Sequence, residues 1–138
     1  MVEYKVADRL GYVAMESIRM EANGLESSSM YYVDKLISGE ILPVGAYVDK
    51  NLIGGAYVSP SLSSLYIDSI FVKKEYQNRG YAKGLLQYIF DNKQLFEEYF
   101  NTEFDFSRLE PGSNDMVEFY KNIGYSGPNE MNIMKRRI

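Results

Sequence analysis

The sequence predicts an α+β fold, and three features of its 138 residues support that prediction. Two strand-like runs, 41–48 and 52–58, are joined by residues 49–51 as an antiparallel hairpin, and Pro60 with nearby serines predicts a turn after it. A third run, 65–72, is dense in β-branched and aromatic residues and precedes a polar loop and an amphipathic helix. Strands and helices do not alternate regularly, so a doubly wound parallel sheet is disfavoured.

Capping residues and apolar spacing predict the first helices. Residues 2–7 form a short strand, after which Asp8 caps a helix that ends at Gly24. The apolar residues of this helix recur at i, i+3, i+4 and i+8: Leu10, Val13, Ala14 and Ile18. A second helix is capped within Ser27 to Ser29 and runs to about Ser38.

The second half of the chain predicts further helices and strands. The helix after the polar loop has a helical stripe of apolar residues: Ala82, Leu85, Leu86, Ile89 and Phe90. Residues 93–101 extend or follow it, and residues 104–109 form another strand. A short helix then carries four apolar or aromatic residues: Met116, Phe119, Tyr120 and Ile123. Residues 125 and 131–134 are expected in closing strands.

Composition excludes several classes of protein. Apolar residues make up 46% and charged residues 25% of the chain, as in ordinary globular proteins. We expect one cytoplasmic domain, residues 1–138, without membrane contact, because no apolar run approaches about 20 residues and no secretory signal is present. The absence of Cys and His excludes thiolate and imidazole chemistry and disfavours a metal site. The formal net charge of −4 argues against binding to nucleic acid.

The loop between the strand 65–72 and its helix is a candidate anion site. Four cations flank a single Glu75 in this segment: Lys73, Lys74, Arg79 and Lys83. The helix begins at Gly80 to Ala82, and the N–H groups of a first helical turn lack intrahelical partners and lie at the positive end of the macrodipole. Phosphate suits that geometry. A solvated turn is the alternative.

Two residues are candidates for proton transfer. Asp68 shares a face of its strand with Tyr66 and Ile70, and a carboxylate among apolar neighbours is costly to bury unless it is paired or hydrated. A face open to solvent is the alternative. Tyr120 lies on the apolar stripe of its helix, which on pattern alone favours a core aromatic over a catalytic group.

Taken together, these segments resemble the GNAT-type N-acetyltransferases. Gln77-x-x-Gly80-x-Ala82 is similar to the family's pattern of Gln or Arg, two residues, Gly, one residue, and Gly or Ala. Residues 119–125 are similar to its late aromatic-Tyr…Gly-aromatic segment, and the hairpin's Gly54-Gly55 is also family-like. The order of elements from residue 2 to 135 fits the whole GNAT fold, a mainly antiparallel central sheet flanked by helices.

The resemblance implies acetyl transfer from acetyl-CoA to a primary amine of a small molecule or peptide, by direct attack in a ternary complex. The backbone at the end of the central strand would pair with the pantetheine arm: Ile70, Phe71 and Val72. The loop and the first helical turn would hold the pyrophosphate: Gln77, Asn78, Arg79, Gly80, Tyr81, Ala82 and Lys83. Tyr120 would protonate the departing thiolate, and Asp68 would take the proton of the substrate ammonium through water.

The resemblance leaves some contacts open. The family's coenzyme-contacting Asn corresponds in position to Ser113, and Asn114 follows it, so either residue would make that contact. Glu16, Glu21 and Glu26 lie where the family builds its acceptor pocket, although surface solvation explains them equally well. The acidic balance favours cationic acceptors such as polyamines, aminoglycosides or Lys-bearing peptides. The fold often forms homodimers, but no segment here demands one.

The alternative function is a non-catalytic module that senses acyl-CoA or CoA. A sensor would not need both Tyr120 and Asp68, and this argues for an enzyme.

Overall fold

The computed structural model describes residues 1–23 and 30–138, and within them the chain forms six strands and five α-helices. The strands are β1 Val2–Val6, β2 Leu42–Val48, β3 Asn51–Ser61, β4 Ser64–Val72, β5 Phe106–Leu109 and β6 Met134–Arg137. The helices are α1 Tyr12–Ala22, α2 Met30–Ser38, α3 Tyr81–Asp91, α4 Lys93–Phe100 and α5 Asn114–Asn122. Two 3₁₀ turns, Arg9–Gly11 and Lys74–Tyr76, precede α1 and α3.

The strands form one sheet in the order β1-β2-β3-β4-β5-β6. β1 with β2, β2 with β3, and β5 with β6 pair antiparallel, whereas β4 and β5 pair parallel. The predicted α+β fold with a mainly antiparallel sheet is confirmed. The chain divides into two compact units: Met1–Val58 with Ser69–Ile89, and Ser59–Asp68 with Phe90–Ile138.

The predicted hairpin is present, and its turn is shorter than expected. Asp49 and Lys50 have φ values of 49° and 71°, the left-handed geometry of a two-residue turn that matches the twist of the flanking strands. The turn predicted at Pro60 is wrong, because β3 continues through Pro60 to Ser61 and the turn falls at Leu62. Near a strand end, the missing proline N–H is tolerated.

The predicted buried face of α1 is largely wrong. Asp8 precedes the 3₁₀ turn Arg9–Gly11 without a side-chain cap, and α1 begins only at Tyr12. Three of the four predicted apolar residues are exposed: Leu10, Val13 and Ala14. The buried face consists instead of Met15, Glu16, Ile18 and Arg19. Because a 3₁₀ turn has about three residues per turn, a helical pattern counted from the turn is out of phase with α1.

Two charged residues of α1 are buried as a pair. The Arg19 guanidinium donates to the Glu16 carboxylate at 2.7 and 3.2 Å, and the Tyr57 hydroxyl donates to it at 2.7 Å. The guanidinium also lies 4.5 Å from the ring centroid of Tyr32. These contacts offset the cost of burying both charges. Glu16 is 5% exposed, so neither a surface position nor an open acceptor pocket describes it.

Other predictions for the region of α1 and α2 either agree with the structure or fall on residues that it does not describe. Glu21 is exposed, and α2 ends at Ser38 as predicted. Gly24, Glu26 and Ser27 to Ser29 lie outside the described residues.

No helix within the described part of the chain has the length and apolar character needed to cross a membrane.

The first unit has a core built from α1, α2 and the sheet. Its buried residues are Ala7, Met15, Ile18, Leu36, Ile41, Tyr57 and Phe71. Gly54 makes a close strand approach possible, because a Cβ at this position would lie 2.5 Å from the Phe71 carbonyl oxygen and 3.0 Å from the Val72 Cα. The predicted stripe of α3 is confirmed, with Leu85, Leu86 and Ile89 fully buried.

Aromatic rings fill the second unit. The Tyr125 ring contacts those of Phe90 and Tyr120 at centroid distances of 6.1 and 5.7 Å. The strand predicted at 131–134 is wrong except for Met134, which begins β6. The residues before it form a turn in which the Asn129 side-chain oxygen accepts the N–H groups of residues 131 and 133 at 2.9 and 3.0 Å.

We expect Gly54→Ala to destabilise the protein by about 1–3 kcal/mol, because the new methyl group meets rigid backbone of β4. Gly112→Ala is the matched control, since a Cβ there has no neighbour within 4 Å and should change stability by no more than about 0.5 kcal/mol. Urea unfolding of both variants measures the difference. Equal stabilities would contradict the close approach at Gly54.

Candidate functional site

β4 extends beyond the end of its pairing with β5. The parallel register runs from Ser64 opposite Phe106 to Ile67 opposite Leu109, whereas β4 continues to Val72. On the β4 edge that faces β5, backbone groups after Ile67 therefore remain for another extended partner, as when a peptide or ligand adds to a strand edge; the other edge of β4 is paired with β3.

The segment after β4 is held by specific hydrogen bonds. The Gln77 side-chain amide donates to the Val72 carbonyl at 2.9 Å, and the Lys73 N–H donates to the Ile53 carbonyl at 2.8 Å. Asn78 and Gly80 have φ values of 62° and 87°, which turn the chain sharply into α3. Gln77 therefore fixes the loop between β4 and α3, which the family resemblance assigns to the coenzyme.

The N–H groups from Asn78 to Lys83 form a run of unused donors. Within the described residues, none of them donates a hydrogen bond to a backbone or side-chain acceptor. The next N–H, that of Gly84, donates to the Gly80 carbonyl at 2.9 Å and begins the helical pattern. A Cβ at Gly80 would have no neighbour within 4 Å, so the loop backbone is open. Such a run at a helix N-terminus suits a phosphate or pyrophosphate.

The charge of the loop reinforces this geometry. Four cations surround the run of donors: Lys73, Lys74, Arg79 and Lys83. Among the residues that the structure describes, none of these four forms an ion pair. The Arg79 guanidinium lies 5.8 Å from the Tyr76 ring centroid. The positive charge is therefore available to an anion bound at the helix start.

Tyr120 differs from the other deeply buried tyrosines in what its hydroxyl contacts. The Tyr57 hydroxyl donates to Glu16, and the Tyr125 hydroxyl shares a hydrogen bond of 2.8 Å with Ser107. The Tyr120 hydroxyl has no hydrogen-bond partner among the described residues, although the residue is 4% exposed. Burial raises the pKa of Tyr120 to about 12, so its proton is retained at neutral pH.

Asp68 is half-buried on β4 and has a partner that the sequence did not reveal. The Ser59 hydroxyl donates to its carboxylate at 2.6 Å. Burial, followed by the charges of Glu110 and Asp68, raises the pKa of Tyr66, which lies two residues before Asp68 on β4. The signal that could have found Ser59 is the register of the hairpin formed by β3 and β4, which depends on its turn, and the sequence placed that turn at Pro60 instead of Leu62.

The start of α5 leaves the choice between the two coenzyme-contacting candidates open. Ser113 precedes the helix in an extended conformation, with φ of −161°, and its hydroxyl makes no capping hydrogen bond. Asn114 is the first helical residue, and both side chains are exposed. The described residues form no group of three or more Asp and Glu side chains arranged to hold a metal ion.

Comparison with known proteins identifies the family. The model of the acetyltransferase (GNAT) domain matches residues 40–126, more than half of the chain. The chain therefore belongs to the GNAT acetyltransferase family, as the sequence motifs predict. A comparison with curated proteins finds no significant match.

Solved structures share the fold over nearly the whole chain. A ribosomal-protein alanine N-acetyltransferase from Escherichia coli is 15% identical, with a TM-score of 0.77 over 100% of this chain and 94% of its own. PaiA N-acetyltransferase from Thermoplasma acidophilum, in complex with coenzyme A, is 18% identical, with a TM-score of 0.75 and coverage of 100% and 99%. A GNAT acetyltransferase from Elizabethkingia anophelis with acetyl-CoA bound is 14% identical, with a TM-score of 0.74 and coverage of 99% and 98%. The family and the fold support acyl transfer from acetyl-CoA.

The buried tyrosines predict a loss of stability at alkaline pH. An unfolded tyrosine ionises near pH 10, whereas folded Tyr120 keeps its proton until about pH 12. The stabilisation is therefore complete below pH 10 and is lost as the pH rises toward 12, at about 1.4 kcal/mol per pH unit for one such group. Tyr120→Phe should remove this contribution, as measured by urea unfolding between pH 8 and 12.

Tyr99→Phe is the control for this measurement, because the Tyr99 ring is 50% exposed. Its pH dependence should match that of the unmodified protein. A Tyr120→Phe variant with an unchanged alkaline slope would show that Tyr120 ionises like an exposed tyrosine.

Proposed function

We propose that this protein is an N-acetyltransferase that transfers the acetyl group of acetyl-CoA to a primary amine by direct attack in a ternary complex. The observation that carries the proposal is the run of unused N–H donors from Asn78 to Lys83, set among unpaired cations after the central strand of a GNAT fold. We also propose that residues 1–138 form one catalytic domain, since β4 contributes residues to each of the two compact units.

The coenzyme would be bound mainly by backbone. The donors from Asn78 to Lys83 suit the pyrophosphate, and Gln77 keeps them in place by holding the Val72 carbonyl. The backbone from Ile70 to Val72, beyond the paired part of β4, suits the amide groups of the pantetheine arm. Ser113 and Asn114 supply side-chain donors at the start of α5, and the uncapped hydroxyl of Ser113 favours it for this contact.

The reaction requires proton transfer away from the substrate nitrogen and to the departing thiolate, and negative charge develops on the thioester oxygen during attack. Asp68 would accept the proton of the substrate ammonium through a water molecule, because its carboxylate is held by Ser59 on β3. The free amine then attacks the thioester carbonyl, the C–S bond breaks as the new C–N bond forms, and the nitrogen releases its second proton to solvent water. Tyr120 would donate its hydroxyl proton to the departing thiolate, since that hydroxyl is protonated and has no competing acceptor among the described residues. Positioning the two reactants supplies further acceleration.

Ligand-induced stabilisation tests the coenzyme. A ligand at a hundredfold excess over its dissociation constant stabilises a folded protein by about 2.7 kcal/mol, a shift of several degrees in Tm for this size. Acetyl-CoA and CoA should both raise the Tm, whereas ATP at the same concentration should raise it little. Equal shifts with ATP would reduce the loop to a general phosphate site, and no shift with any of the three would contradict the proposal.

A matched pair of variants places the binding at the loop. Gly80→Ala strains a backbone at φ of 87° and displaces the neighbouring donors, so CoA affinity should fall about tenfold by calorimetry. Gly11→Ala should bind CoA normally, because a Cβ there makes only ordinary contacts at 3.8 and 3.9 Å and no residue near it in sequence is assigned to the coenzyme.

Turnover distinguishes an enzyme from a coenzyme sensor. Tyr120→Phe should lower kcat about 10²- to 10⁴-fold, because a proton donor is lost, while CoA affinity changes less than about threefold. Thiol release from acetyl-CoA measures kcat, and calorimetry measures affinity. Tyr99→Phe should leave both unchanged. Normal turnover by Tyr120→Phe would remove this residue from the mechanism.

A further inference from the structure

A cavity in the second unit is lined by none of the residues proposed to bind the coenzyme. Its volume is about 470 Å³, and it lies beside three adjacent strands and the turn before β6. Its polar lining residues are Ser61, Tyr66, Arg108, Ser126, Asn129 and Lys135. A cavity of this size accommodates a small organic molecule.

Strand register places one polar and two cationic side chains of this cavity side by side. Tyr66 on β4 lies opposite Arg108 on β5, and Arg108 lies opposite Lys135 on β6. Residues paired directly across neighbouring strands project to the same face of a sheet. A guanidinium, an ammonium and a phenol hydroxyl therefore line one wall of the cavity.

Arg108 is the least satisfied of these groups. Its Nε is buried and has no hydrogen-bond partner, and the residue forms no ion pair within the described residues. The charge of Arg108 has no acidic partner among the described residues, so the cavity that this residue lines favours an anion. Lys135 adds a second positive charge, with its ammonium 4.2 Å from the Phe106 ring centroid.

The turn before β6 adds neutral donors to the wall. The Asn129 side-chain oxygen is used by two backbone N–H groups of the turn, which leaves its NH₂ group without a partner in the described part of the chain. The Ser126 hydroxyl donates to the Lys135 carbonyl at 3.3 Å, a long hydrogen bond that an incoming acceptor can replace.

Carboxylates border the same wall from the β4 side. Asp68 lies two residues beyond Tyr66 on β4, roughly 6.6 Å along the strand and on the same face. Burial raises the pKa of Tyr66, and the charges of Glu110, just after β5, and of Asp68 raise it further. The surface thus pairs a region that suits an ammonium group with a region that suits an anion.

We propose that the acceptor amine carries a carboxylate, as an amino acid does, and that Arg108 binds this carboxylate while the amino group lies toward Asp68. A planar guanidinium matches a carboxylate with two parallel hydrogen bonds. This inference rests on the proposed acetyl transfer and deepens it. It differs from the purely cationic acceptors that the net charge of the chain favours.

Matched amines test the proposal. Initial rates of thiol release are measured with saturating acetyl-CoA for glycine, β-alanine, 4-aminobutyrate and 5-aminovalerate, each beside its primary carboxamide. For the chain length that fits best, kcat/KM should be at least about tenfold higher for the carboxylate, because a hydrogen-bonded charge is lost in the amide. Two further acceptors are compared in the same assay: spermidine, a purely cationic amine, and phosphoethanolamine, an amine that carries a phosphate. Faster acetylation of either, or equal rates for acid and amide, would overturn the carboxylate assignment.

Variants assign the preference to the cavity. Arg108→Gln should abolish the difference between acid and amide, mainly through KM, and Arg108→Lys should retain part of it, because charge remains without the planar fork. Arg137→Gln is the matched control, an exposed cation on β6 that does not line the cavity. An equal loss in Arg137→Gln and Arg108→Gln would indicate general charge attraction and overturn the site.

A binding measurement separates this inference from the proposed function. Calorimetric titration of 5-aminovalerate into the protein with CoA requires no turnover. Weaker binding to Arg108→Gln, with normal binding to Arg137→Gln, supports the cavity as an anion site even where no amine is acetylated. Equal binding to both variants, or none to the unmodified protein, overturns it. Failure of acetyl-CoA to raise the Tm marks the separate failure of the proposed function.

Discussion

The candidate site depends on the unequal lengths of two paired strands. The pairing of β4 with β5 ends at Ile67, whereas β4 continues to Val72. Backbone groups on that unpaired edge must find other hydrogen bonds. Gln77 satisfies one of them by donating to the Val72 carbonyl, which also fixes where the following loop begins. The loop then opens α3 with donors that nothing within the described residues uses. One constraint on backbone pairing thus prepares both an extended edge and an anion site.

The buried tyrosines differ in the hydrogen bonds that their hydroxyl groups make. Tyr57 completes a buried pair of opposite charges, and Tyr125 is tied to Ser107, so both hydroxyls are part of the packing. Burial raises the pKa of Tyr125 and of Tyr120, which keeps both protonated. Only the hydrogen-bond partner separates them: in the described part of the chain, Tyr120 has none. A proton donor needs a protonated group with no competing acceptor, and Tyr120 meets both conditions.

Local patterns predicted those parts of the protein that local forces determine. The strand at 65–72, the stripe of α3 and the antiparallel hairpin of β2 and β3 follow from residue type and spacing. The face of α1 did not, because the buried pair of Glu16 and Arg19 has partners distant in sequence, such as the Tyr57 hydroxyl, 41 residues from Glu16. Arg108 was missed for the same reason: its surroundings are set by strand register, which no short segment encodes. Long-range pairing therefore limits prediction of the site more than it limits prediction of the elements.

Net charge is a poor guide to what this protein binds. The chain carries −4 overall, yet the described residues concentrate unpaired cations at two places, the loop before α3 and the cavity beside Arg108. Screening limits the reach of a surface charge to about 8–10 Å at ordinary ionic strength, so a ligand responds to the charges it contacts rather than to the total. Excess carboxylates elsewhere still oppose the approach of polyanions such as nucleic acid. Together these features favour small anionic ligands held at defined cationic positions.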